Sequence, residues 1–147
     1  MVKVSVIIPV YNVQDYLAEC LESVLHQTYS DLEILCINDC STDQSSAVLK
    51  QYEQRDSRIT IWDMEENKGQ AYARNLGLSQ ATGDFVLFVD SDDIIGLDLV
   101  EKCLEVSHGS DLVCFDYKQV MNSETDVKQE RYQMEDGLYE GRDFWVE

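Results

Sequence analysis

Basic residues are scarce in this chain. Eleven lysines and arginines stand against 29 aspartates and glutamates, a formal net charge of -18, which excludes capture of a nucleic-acid backbone or an anionic membrane surface by long-range attraction. An anionic ligand would need local help, from a bound divalent cation or a few positioned bases. Metal-binding cysteine spacing is also lacking. The five cysteines, Cys20, Cys36, Cys40, Cys103 and Cys114, include no CxxC pair, and three of them lie in apolar runs, so they read as buried free thiols rather than as zinc ligands. No apolar run approaches membrane-spanning length. Met1 to Pro9 lacks the basic start, long apolar stretch and cleavage site of a signal peptide, and the chain reads as cytoplasmic. No low-complexity tract or internal repeat interrupts the pattern.

What is present is a globular composition, 44% apolar over 147 residues, the size of one domain with a real core. Val4 to Pro9 (VSVIIP) is a short apolar run that predicts a strand. Asp15 to Thr28 then sets Tyr16, Leu17, Cys20, Leu21, Val24 and Leu25 at helical spacing. Leu32 to Asn38 repeats the strand signature, and Ser41 and Asp43 offer caps for a helix carrying Ala47, Val48, Leu49 and Tyr52. Further strands are expected at Ile59 to Trp62, Phe85 to Val89 and Leu112 to Tyr117, with helices at Gln70 to Ala81 and Leu97 to Val106. Strands alternating with helices predict an α/β fold, Rossmann-like, its mostly parallel sheet flanked by helices. From Lys118 the rhythm changes: Val127 to Met134 reads as one more strand, and Gly141 to Trp145 as the opening of a helix.

Open sheets of this kind bind ligands at the carboxyl ends of their strands. Three polar strand ends are therefore expected at one crevice: Pro9-Val10-Tyr11-Asn12, Asn38-Asp39-Cys40-Ser41 and Asp90-Ser91-Asp92-Asp93. An extended backbone would send Asp90 and Asp92 to the same side, where both would approach one ion. Oxygen-only ligation suits Mg²⁺ or Mn²⁺, which take one or two carboxylates and complete their shell with water and phosphate oxygens. The plainer alternative makes these acids strand terminators and caps, with Asp93 the cap of the next helix. Asp39 is placed either to accept a hydrogen bond from the imide N–H of a base or to serve as a turn residue. Tyr11 either stacks on a base or packs. In NKGQAYARNLG, Gly69 at a helix start and Arg74 further along offer amides and a guanidinium to a phosphate; the competing role for Arg74 is an ion pair with an acid such as Asp90.

Together, VSVIIPVYNVQDYLAECLESVLHQTYSDLEILCINDCSTDQS and NKGQAYARNLGLSQATGDFVLFVDSDD closely resemble the nucleotide-sugar-binding half of the family 2 glycosyltransferases. The likeness covers residues 3 to 117 and implies a GT-A fold truncated at its C-terminal end. Residues 1–117 would bind the nucleotide sugar, and 118–147 would be a connector and the incomplete start of the acceptor-side region. The resemblance implies that Pro9, Tyr11 and Asn12 line the nucleotide pocket, that Asp39 contacts the base, and that Arg74 lies near the diphosphate. Asp90 and Asp92 correspond to the family's DxD acids, with Asp92 the most direct ligand of Mn²⁺ or Mg²⁺. The implied reaction moves a sugar from a nucleoside diphosphate, UDP-linked, to a hydroxyl of a glycan or lipid-linked acceptor with inversion, as in polysaccharide biosynthesis.

Relatives supply a further acid, well downstream of the DxD, as general base. No match to that motif is found. Glu130, Glu135, Asp136 and Glu140 fall too early and read as surface charges. Two other functions fit parts of the pattern. A noncatalytic nucleotide-sugar-binding module would share every site residue. A haloacid-dehalogenase-like phosphatase would use Asp90 as nucleophile and Asp92 as acid/base, but its motif does not follow three βα units.

Overall fold

The computed structural model describes residues 2–107, 109–115, 117–120 and 127–130, the last two stretches as backbone alone. Its first elements alternate as expected: β1 (Val4–Val10), α1 (Leu17–Leu25), β2 (Leu32–Asn38), α2 (Ser45–Arg55), β3 (Ile59–Asp63), α3 (Gln70–Gln80), β4 (Phe85–Phe88) and α4 (Leu99–Ser107). The four strands form one sheet in the order β3-β2-β1-β4, all neighbours parallel, with Val4 opposite both Leu32 and Phe85. The chain first winds outward from β1 through β2 to β3. It then returns to place β4 on the other side of β1. That reversal makes the carboxyl ends of β1 and β4 a topological switch point, the place where open sheets bind ligands.

Burial explains why β1 and β2 read as uninterrupted apolar runs. Every residue of β1 is buried, and in β2 only Glu33 is partly exposed, as expected of central parallel strands covered on both faces. One face packs Ile7, Leu35 and Ile37 around Ala73 of α3, with Leu76 and Val86 alongside. Gly77 lets α3 come this close, since a Cβ there would stand 2.4 Å from Ile7 Cγ2. In α1, Leu17, Cys20, Leu21 and Val24 are buried at the expected helical spacing. Pro9 sits inside β1 without breaking the ladder. The carbonyl of Ile7 accepts from Val89 and that of Val10 from Asp39, so odd residues of β1 face β4. Opposite Pro9, β4 has already ended, and no partner is deprived of its missing N–H.

Three expectations change. β4 is an edge strand among the described residues, half-buried along Phe85, Val86 and Leu87, with Phe88 45% exposed, rather than a buried strand. Leu112–Phe115 is not a strand; β5 (Tyr117–Val120) starts five residues later and pairs antiparallel with β6 (Val127–Glu130). An apolar run becomes a strand only where a neighbour offers ladder partners; Val127–Glu130 offers them to Tyr117–Val120, and Leu112 stays 61% exposed. Of the five cysteines, all free, Cys20 and Cys36 are buried, Cys40 and Cys103 partly so, and Cys114 is exposed. The expected helix at Gly141 to Trp145, and Glu135, Asp136 and Glu140, lie outside the described residues.

Two compact units divide the chain, one of residues Met1–Lys102 and one beginning at Cys103, so the break in packing precedes the 117 boundary drawn on the motifs. Among the described residues no helix is long and apolar enough to cross a membrane.

Candidate functional site at the carboxyl ends of the strands

The loops after β1 and β2 are knitted to each other. Asn12 adopts a left-handed backbone, φ 52°, which asparagine tolerates better than most residues. Its Oδ1 accepts hydrogen bonds from the Thr42 amide (2.7 Å), the Thr42 hydroxyl (3.3 Å) and the Asp43 amide (3.3 Å). Its own N–H donates to Ser41 Oγ. Asp43 accepts from the Ser45 and Gln14 amides; these bonds hold its carboxyl below the usual range although burial pushes it upward. Asp43 thus serves the first turn of α2, as expected, while Ser41 serves Asn12. Beside this joint, Tyr11 is 47% exposed and free to present its ring to a ligand.

Asp39 closes the second loop. Its carboxylate is 2% exposed and accepts from the amides of Lys68 and Gly69, both at 2.7 Å. Gly69 precedes α3 at φ 86°, a backbone conformation costly for a residue with a Cβ. Asp39 therefore fastens the start of α3 to the end of β2. These bonds span 29 and 30 residues, so they are neither the base contact nor the local turn role that the sequence offered. A carboxylate has further lone pairs, so a base is not thereby turned away. Next to it, Lys68 lies over the Tyr72 ring at 4.9 Å, and both line a cleft of about 250 Å³ with Asp63 and Met64.

The acidic segment is a turn, not an extension of β4. The Asp93 amide donates to the Asp90 carbonyl at 3.0 Å, so the extended backbone from which a shared side for Asp90 and Asp92 was expected is absent here. Asp90 instead reaches α3, where its Oδ1 accepts from Arg74 Nη2 at 2.5 Å and Gln70 Nε2 at 3.0 Å. The ion-pair role of Arg74 is thus present. Its Nε is buried without a partner among the described residues, a donor spared from the pair. Nor is Asp93 the expected helix cap: α4 begins only at Leu99, whose amide bonds Gly96.

Asp92 and Asp93 are exposed and paired with no base among the described residues. Burial first, and then the charges of Asp92 and Asp90, push the Asp93 carboxyl upward. The Cys20 thiol behind them is pushed up to about 12, by burial and then by Asp93, Asp92 and Asp90. The turn is therefore locally negative. Among the described residues no three His, Cys, Asp or Glu side chains stand close enough to hold a metal by themselves. A hard cation that takes one or two carboxylates and fills its shell from a diphosphate still fits the donors present. Pro9 is buried in β1. Gln70 escaped the sequence reading; its signal was its place directly after a glycine at a helix start.

Comparison with known proteins bears on the family and the fold. The model of "Glycosyl transferase family 2" matches residues 5–145. The glycosyltransferase GlyA of Streptococcus pneumoniae is 43% identical over 124 residues, 83% of this chain and 18% of that protein. Among solved structures, S. aureus TarS 1-349 in complex with UDP-GlcNAc superimposes with a TM-score of 0.68 at 35% identity, over 73% of this chain and 31% of that one. The mannosyltransferase PcManGT from Pyrobaculum calidifontis, in complex with GDP-Man and Mn²⁺, gives 0.68 at 26% identity, over 72% and 32%. The chain spans less than half the length of these relatives, and its sheet is that of the GT-A fold they share.

Proposed function

The chain belongs to glycosyl transferase family 2, and from that premise we propose that the crevice between β1 and β4 binds the nucleoside diphosphate of an activated sugar, UDP-linked, as the donor site of an inverting transfer. The observation that carries this reading is that two polar strand ends are tied to α3 and its start, Asp39 through the Lys68 and Gly69 amides and Asp90 through Arg74, at the carboxyl ends of a sheet whose strand order reverses at β1. TarS with UDP-GlcNAc and PcManGT with GDP-Man and Mn²⁺ support it.

Each side chain has work suited to its position. Tyr11 offers a face to the base. Asp39 holds the Lys68 and Gly69 amides in place and keeps a lone pair for a base N–H. Arg74 neutralises Asp90, which leaves Asp92 as the exposed carboxylate to hold Mn²⁺ or Mg²⁺. When bound, such an ion screens the charge that grows on the departing diphosphate. Transfer forms a bond from the acceptor oxygen to the anomeric carbon as the carbon–oxygen bond to the diphosphate breaks on the opposite side. The acceptor proton passes to a general base, a role assigned to no described residue. The acceptor in this reading is a hydroxyl of a glycan or lipid-linked acceptor.

Titration calorimetry with UDP, with and without Mn²⁺, tests the reading. Mn²⁺ is expected to tighten UDP binding, and Asp92→Ala to remove that gain, at least tenfold in Kd. UDP binding that is indifferent to both would sink it. A noncatalytic binding module shares this site, and a radiolabelled sugar transferred to an acceptor in the parent but not in Asp92→Ala separates the two. Family membership leaves the phosphatase alternative without support.

A further inference from the structure

The backbone of the loop that carries the acids is held from one direction, opposite the Asp90 side chain's bonds to α3. Between Asp90 and Asp98 its apolar side chains are poor anchors, with Ile94 65% and Leu97 60% exposed. Its backbone is instead gripped by α1 and the turn after it. Ser23 Oγ accepts from the Ile95 amide at 3.2 Å. Gln27 Nε2 donates to the Gly96 carbonyl at 2.6 Å, and Gln27 Oε1 accepts from the Val100 amide at 3.1 Å. The Thr28 amide donates to the Leu97 carbonyl at 2.8 Å, and Cys20 Sγ donates weakly to the Asp90 carbonyl at 3.5 Å.

The two polar side chains are matched to this task. Ser23 is 8% exposed and Gln27 7%, the first on a helix whose other buried positions are apolar and the second just past its end. Burying hydroxyl and amide groups costs free energy unless they are bonded, and here both are. Ser23 gives its proton to the Cys20 carbonyl at 2.7 Å, which leaves lone pairs for Ile95. Gln27 uses its second N–H on the Ser23 carbonyl at 3.0 Å. Each side chain is thus oriented by α1 itself, and what remains faces the backbone of the acid loop. An apolar pair of the same size would fill the space equally well but would leave the loop register unset.

We propose that Ser23 and Gln27 are positioning residues for the donor site, a buried polar seam that fixes the loop bearing Asp92 so that its carboxylate is ready for a cation before the diphosphate arrives. The inference rests on the donor-site reading above. It predicts a division of effects: the gain in UDP affinity from Mn²⁺ depends on the seam, while metal-free UDP binding, which uses Tyr11 and Asp39 on the other strand ends, does not.

The test is calorimetry of UDP with and without Mn²⁺ on the parent chain, Ser23→Ala, Gln27→Met and Asp92→Ala, each first checked by thermal unfolding. Losing one neutral hydrogen bond is expected to reduce the Mn²⁺ gain about threefold in Ser23→Ala, and losing two about tenfold in Gln27→Met, with metal-free UDP affinity unchanged in both. Amide exchange in metal-free protein should show Ile95 exposed by Ser23→Ala and Val100 by Gln27→Met. If Gln27→Met does not fold, Ser23→Ala decides. A full Mn²⁺ gain in folded seam variants, with the gain lost in Asp92→Ala, overturns this inference alone. Metal-free and metal-dependent binding falling together marks a merely structural role and also overturns it. A gain that survives Asp92→Ala overturns the donor-site reading, and this inference with it.

Discussion

Removing the Asp39 carboxylate should loosen both the fold and the site, and the size of the effect follows from its two bonds. It accepts the Lys68 and Gly69 amides at 2.7 Å each while 2% exposed. A hydrogen bond to a charged acceptor contributes about 1.5–3 kcal/mol, and an orphaned buried donor costs about 1–3 kcal/mol. Residue 68 is exposed and 69 partly so, so water recovers some of the loss, and Asp39→Ala should cost about 3 kcal/mol, or roughly 10 °C in Tm. Asp39→Asn keeps one acceptor oxygen but turns an NH₂ toward the other amide, for about 2 kcal/mol. Urea melts followed by circular dichroism measure both. An alanine variant within about 0.5 kcal/mol of the parent, the range of an indifferent surface change, would refute the capping argument. The same bonds hold the turn that leads into Gln70 and Arg74, so capping predicts that Asp39→Ala weakens Mn²⁺-pyrophosphate as well as Mn²⁺-UDP. Weakening of UDP alone would mean that Asp39 acts only through the base.

Two further predictions concern the scaffold. Glu33 accepts from the Ser5 hydroxyl, Lys3 Nζ, the Thr82 amide and hydroxyl and the Gly83 amide; burial pushes its carboxyl up, but these donors prevail and hold it at about 2, from an ordinary 4.5. Because the folded value lies below the unfolded one, the stabilisation is complete above pH 5 and is lost as pH falls toward 2. It is worth up to about 3 kcal/mol before solvent screening. Urea melts between pH 5 and 2 should show that slope in the parent and a shallower one in Glu33→Gln; equal slopes would contradict it. Gly77→Ala brings a Cβ to 2.4 Å from Ile7 Cγ2 and 3.3 Å from Ile37 Cγ1. Overpacking of this kind costs about 1–3 kcal/mol, against a helix-propensity gain near 1. Thermal unfolding should therefore register a net loss, and an unchanged or higher Tm would show that α3 can lift from β1 freely.

The βα order was legible because each early element carries its period in a few adjacent residues. VSVIIP and LEILCIN are apolar throughout because β1 and β2 are central, and Leu17, Cys20, Leu21 and Val24 fall on one helical face. The edges were less legible. FVLFV reads like a central strand, yet its burial depends on what lies beside β4, and Leu112–Phe115 reads like a strand although its ladder partner goes to Tyr117–Val120. Pairing is decided by a distant segment, and no local period records it. The candidate residues themselves were named from the sequence, because strand ends at a topological switch must meet whatever the side chains do. Their hydrogen bonds were not. Asp90 finds Gln70 and Arg74 twenty and sixteen residues earlier, and Asp39 finds Lys68 and Gly69 nearly thirty later, across separations that spacing rules do not span.

Those long-range bonds change the meaning of the acid cluster. Three like charges in one turn would repel if all were free, yet each meets different surroundings. Asp90 is neutralised by Arg74 and steadied by Gln70. Asp93 donates its amide back to Asp90, and its carboxyl is pushed toward the protonated form by burial and by its neighbours. Asp92, between them, is exposed, on a turn whose continuation is fastened by Ser23 and Gln27. Arg74 and Gln70 both bond Asp90 Oδ1, so an ion would meet Asp90 as a carboxylate whose charge is already shared with a guanidinium. On the proposed donor-site reading the pair is asymmetric: Asp90 orients the turn from the α3 side, and Asp92 is the carboxylate left for direct contact. Arg74→Met separates the two arrangements: it should weaken Mn²⁺-UDP binding if Asp90 works through its ion pair, and strengthen it if the pair merely withholds a ligand.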